Sequence, residues 1–67
     1  MTYEKAVELL QMEIVPMYDG RVEINTIDYD IWPTRCSVQE MAEAFSAFMR
    51  EVLSLKEEDF PQRRGCL

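Results

Sequence analysis

The strongest constraint on this chain begins at Ser37. Ser37-Val38-Gln39-Glu40 reads as a capping box, with the serine as N-cap and the glutamate reaching back from the third helical position. Behind it Val38, Met41, Phe45, Phe48, Val52 and Leu55 fall alternately three and four residues apart, as in a heptad seam. With about 100° of rotation per residue, the apolar side chains from Ala44 through Phe48, Phe45 and Met49 to Leu53 sweep an arc of about 180°. A helix that covers a single core needs little over 100°. The opposite arc holds Gln39, Glu40, Glu43, Ser46, Arg50, Glu51 and Ser54, and Ala47 is its only apolar interruption.

So wide a face is hard to cover from within 67 residues. A chain this small buries only about 60% of the surface its unfolded form exposes. Below roughly 70–80 residues a single core supplies no more than about 3–5 kcal/mol, and natural chains add a staple or associate. The staples are few here. There is no histidine, and the two cysteines, Cys36 and Cys66, stand thirty residues apart. A structural zinc within one chain needs four such ligands in paired spacings, so no metal site is expected. A disulfide is disfavoured in a chain that reads as cytoplasmic, without a secretory signal at its start. Association is the remaining route, and a homodimer is expected, with Met41, Phe45, Phe48, Met49 and Val52 as its self-association residues.

The rest of the chain is punctuated locally. Thr2 is an N-cap candidate for a short amphipathic helix over about residues 2–12, carried by Tyr3, Ala6, Val7, Leu10 and Ile14. Asp19-Gly20 is the strongest short hairpin signal, between residues 12–18 and 21–26. In the second run Val22 and Ile24 alternate with Arg21, Glu23 and Asn25, which predicts one buried and one wet face. Pro16 places the first strand at an edge. A competing reading runs the first helix on to Val15 and leaves Gly20 in a loop. After Thr26 the alternation changes phase, with Ile27, Tyr29 and Ile31 together and Asp28 and Asp30 opposite, which predicts a bulge or bend. Glu57, Glu58 and Asp59 carry the wrong sign for a helix C-terminus, so the main helix should end or fray near Leu55. The fold class expected is α+β: an N-terminal helix, a short antiparallel hairpin or meander, then one long amphipathic helix. Residues 1–60 form this single domain, and residues 61–67 are read as a flexible tail.

Charge narrows the function. Thirteen Asp and Glu face seven Lys and Arg, for a net charge of −6. Residues 1–59 hold all thirteen acids and only five of the bases, so eight negative charges remain there. Direct binding to nucleic acid or to an anionic membrane requires a basic face, and neither is expected. No run approaches the eighteen or more apolar residues of a membrane span. An acidic surface suits solubility or docking on a basic protein.

No constellation carries chemistry. Without histidine the commonest general base is absent. Cys36 precedes a helix N-terminus, where the dipole favours a thiolate, but reads more simply as a small buried residue. Asp28 and Asp30 would stand about 6.6 Å apart along an extended segment, too few oxygens for a cation by themselves. The chain is therefore expected to be no enzyme and to need no cofactor. Its expected role is a non-catalytic protein-protein interaction module, a small regulator or inhibitor. Glu23, Asp28, Tyr29, Asp30 and Trp32 would form its acidic and aromatic partner-binding surface. Two alternatives are a nucleic-acid mimic that blocks the basic groove of a DNA- or RNA-binding enzyme, and a small subunit lending Asp28 and Asp30 to a larger enzyme.

Overall fold

The computed structural model describes residues 1–28, 30 and 35–61. Its elements follow in the order α1 (Tyr3–Leu10), β1 (Met12–Pro16), β2 (Val22–Thr26), α2 (Val38–Leu53) and a short 3-10 helix (Glu57–Asp59). This is a small α+β domain of helix, antiparallel hairpin and longer helix. Residues 62–67, most of the expected tail, lie outside the described residues, as do Tyr29, Ile31, Trp32, Pro33 and Thr34.

Local chemistry sets the element ends. The Thr2 hydroxyl accepts the Lys5 N–H at 3.1 Å and opens α1. The helix stops two residues before the expected Met12, because Gln11 takes the left-handed conformation at φ 55°. Its N–H reaches the Val7 carbonyl at 2.8 Å, and its Nε2 donates to the Glu8 carbonyl at 2.8 Å. These bonds offset the steric cost of a left-handed non-glycine residue. The chain passes directly into β1, so the hairpin reading holds and the helix does not run to Val15. At the other end, Ser37 and Glu40 close the capping box with bonds of 3.0 and 2.9 Å. α2 ends at Leu53, where the Ser54 N–H reaches back to Arg50 and Glu51 and its hydroxyl donates to the Glu51 carbonyl. Leu55 therefore falls outside the helix whose seam it was expected to extend.

The hairpin pairs Met12 with Thr26, Ile14 with Ile24 and Pro16 with Val22. Its turn spans Met17 to Arg21. The Gly20 N–H donates to the Met17 carbonyl at 3.0 Å, and the Met17 N–H to the Arg21 carbonyl at 2.7 Å. Gly20 sits at φ 83°, the left-handed position that closes a three-residue loop of this kind. Asp19 adds a bond from its carboxylate to the Arg21 N–H at 3.1 Å. The Ile27 N–H donates to the Gln11 carbonyl at 2.9 Å. Antiparallel ladders alternate, so Met12, Ile14 and Pro16 on β1 and Val22, Ile24 and Thr26 on β2 turn their backbone groups outward. Pro16 thus stands where the ladder asks for no N–H.

The core lies between the helices. Ala6 and Leu10 of α1 are buried with Ala44, Ala47 and Phe48 of α2. Three alanines at this contact let the backbones approach closely, and Phe48 fills the space beside them. Tyr3, Val7, Leu9, Met12, Ile14 and Cys36 pack around this centre. Two expectations need correction here. The buried stripe of α2 takes only Phe48 from the heptad seam and otherwise runs along its margin through Ala44 and Ala47, the latter having read as an exception in a polar arc. The apolar face of β2 is not buried either: Val22 and Ile24 are both exposed.

Packing predicts distinct mutational responses in dilute protein. Phe48→Ala should lose about 3–5 kcal/mol of unfolding free energy to the cavity. Ala47→Leu should lose about 1–3 kcal/mol to overpacking. Leu53→Ser, on the exposed face, should stay within about 0.5 kcal/mol. Urea denaturation followed by far-ultraviolet circular dichroism measures all three.

Candidate functional site

Because α1 takes only the alanine margin of α2 and the adjoining Phe48, most of the large apolar residues of that helix are left in water. Val38 is 89% exposed, Leu53 81% and Met49 64%. Met41 and Phe45 are also exposed. Met41, Phe45, Met49 and Leu53 follow at intervals of four, so they form one continuous row along the helix. No charged residue interrupts this row. Its far end faces the hairpin, where Ile24 is 56% exposed.

Between them lies an apolar groove of about 350 Å³. Ile14 and Ile24 form its hairpin wall; Phe45, Met49, Val52 and Leu53 form its helical wall, with Phe48 at its base. The aromatic rings are ordered against one another. Phe45 meets Phe48 edge to face at a centroid separation of 6.0 Å, and Phe48 meets Tyr3 at 5.7 Å. Both separations lie in the favourable range for aromatic pairs. Tyr3 also holds the hairpin in place, since its hydroxyl accepts the outward N–H of Ile14 at 2.9 Å. One side chain of α1 therefore touches α2 through its ring and β1 through its oxygen.

The expected self-association residues divide. Met41, Phe45 and Met49 share the exposed row. Val52 is half-buried, and Phe48 is buried within its own chain. Leu53 and Ile24 are the exposed members that the seam pattern did not include, while Val38, which opens the seam, is also exposed. The signal for Leu53 and Ile24 was the full width of the apolar arc combined with the alternation of β2.

Of the expected partner-binding residues, Glu23, Asp28 and Asp30 do not line the groove. Glu23 is exposed and alternates with Ile24, so it points to the opposite face of the hairpin. Asp28 and Asp30 do not lie along an extended strand, because β2 ends at Thr26 and the chain bends at Ile27. Instead the Asp28 carboxylate accepts the Asp30 N–H at 2.9 Å, a local turn that uses one of the two carboxylates internally. This overturns the picture of two parallel side chains 6.6 Å apart, which assumed continued strand geometry. Tyr29 and Trp32 lie outside the described residues. Among the described residues no three acidic or thiol groups converge as a metal site would require. Cys36 is half-buried against the core, and no described helix is long and apolar enough to cross a membrane.

Comparison with protein-family models, curated proteins and solved structures returns no match. The geometry of the groove therefore carries the functional reading alone.

The Tyr3 hydroxyl makes a checkable contribution. Tyr3→Phe keeps the ring on Phe48 and removes the acceptor for Ile14, which should lower stability by about 0.5–1.5 kcal/mol. Hydrogen exchange at the Ile14 amide should accelerate more than exchange within α2.

Proposed function

We propose that this chain is a non-catalytic protein-protein interaction module that works as a homodimer. The observation that supports it most directly is the uninterrupted exposed row of Met41, Phe45, Met49 and Leu53 beside Ile24. With Val38 and Val22, these side chains leave the equivalent of about four large apolar residues in water, worth about 6–12 kcal/mol on burial. That is commensurate with an association cost of about 4–15 kcal/mol. Isolated exposed apolar residues need no explanation, whereas a contiguous apolar face marks an interaction site.

Dimerisation leaves the acidic surface for a second protein. Glu23 and Asp30 are exposed, and Glu23 belongs to the hairpin face turned away from the groove. A partner with a basic surface fits that charge, and its occupation is how a small regulator or inhibitor of this kind acts. The two contacts respond oppositely to salt. Association of two chains of net charge −6 through apolar surface should tighten as repulsion is screened, while docking on a basic partner should weaken.

Sedimentation equilibrium of the full chain tests the dimer. A two-chain mass at micromolar concentration is expected, reverting to one chain in the Met49→Glu, Leu53→Glu double variant with its helical signal unchanged. A single-chain mass for the parent protein at every concentration overturns the proposal. The same measurement at rising sodium chloride should show the dimer fraction increasing; a fall would place charge, not apolar burial, at the interface.

A further inference from the structure

We infer that the two copies join edge to edge through β2, making one four-stranded antiparallel sheet in the order β1-β2-β2-β1 with both α2 helices over its apolar face. This rests on the dimeric reading and specifies its interface. The two edges of the hairpin are chemically unequal. On the outer edge of β1, the Ile14 N–H is already donated to the Tyr3 hydroxyl and Pro16 has no N–H to offer. α1 also packs beside that strand. The outer edge of β2 presents the backbone groups of Val22, Ile24 and Thr26, and no hydrogen bond among the described residues reaches them. An open edge bearing apolar side chains is a template for another strand.

That edge is complementary to itself. Placing a two-fold axis at Ile24 makes Ile24 of one copy and Ile24 of the second a hydrogen-bonded pair, and sets Val22 opposite Thr26. Each outward N–H then meets an outward carbonyl. Charge selects the same register. Glu23 falls opposite Asn25, whereas an axis one residue earlier would set two Glu23 carboxylates directly against each other. No charged side chain lies on the apolar face of β2, so nothing there calls for a partner of opposite sign. The helices fit the resulting sheet. Four strands about 4.8 Å apart span about 14 Å, and two helices packed about 8–10 Å apart cover that width. The Phe45-Met49-Leu53 rows then meet above the paired Ile24 side chains and close both grooves at once.

Crosslinking in the full chain tests the register, with Cys36→Ser and Cys66→Ser as background. Ile24→Cys should oxidise to a covalent dimer, because hydrogen-bonded antiparallel pairs hold their Cα atoms about 5.5 Å apart, within disulfide reach. Glu23→Cys, two residues out of register with its own copy, should not. Equal or faster crosslinking at Glu23→Cys overturns the proposed register. Ile24→Pro removes an outward N–H that the hairpin itself does not use, and should weaken dimerisation by roughly thirtyfold through two lost backbone bonds per dimer. Circular dichroism checks that Ile24→Pro remains folded; if it does not, the cysteine pair decides. A parent dimer that resists Ile24→Pro but is broken by Met49→Glu, Leu53→Glu would overturn the strand pairing and leave the dimeric reading standing. A parent protein that is monomeric throughout would overturn both.

Discussion

Everything in this structure depends on the close contact of three alanines. Ala6 on α1 and Ala44 and Ala47 on α2 are buried together, and small side chains let two helices approach closely. A helix that packs through alanines turns its larger residues aside. Phe48, at the border of that contact, goes into the core and carries Tyr3 on its ring. Phe45, Met49 and Leu53 lie further round and stay in water. The same contact that makes the domain therefore also makes its unsatisfied face.

The hairpin is hung from this pair of helices and is not wrapped by them. Gln11 joins α1 to β1 without a linker, and the Tyr3 hydroxyl holds the Ile14 N–H. Both ties act on β1. Among the described residues, β2 is held by hydrogen bonds to its partner strand and, just past its end, by the Ile27 N–H on the Gln11 carbonyl, and it keeps an open outer edge. The groove and the open edge are thus two consequences of one arrangement, in which α1 and α2 cover the first strand and leave the second exposed. Apolar burial is the larger unmet need, and the backbone groups of β2 set the direction in which a second chain can meet it.

Much of this was legible in the chain. The capping box at Ser37 and Glu40, the Thr2 cap, the Asp19-Gly20 turn and the edge position of Pro16 rest on groups within a few residues of each other. Each forms as local chemistry requires. What was not legible either lacks its usual residue signal or depends on contacts far apart in sequence. The left-handed Gln11 has no glycine to announce it. The phase change after Thr26 announced the bend at Ile27, but not the Asp28 carboxylate turn that follows it. Ala47 looked like a flaw in a polar arc until α1 was seen to lie against it. The acidic segment and the helix seam read as two separate surfaces, yet Glu23 and Ile24 are neighbours on one strand and point to its opposite faces.

The sequence by itself determined where both helices start, where the hairpin turns and how wide the apolar arc of α2 is, because caps, turns and periodicity act over a few residues. Only the tertiary structure decided which part of that arc is buried. Hydrophobicity alone favours burying Met41, Phe45 and Leu53, but two short helices joined through a hairpin pack where their backbones can come closest. That place is set by the alanines, so the large side chains were left for another chain to cover.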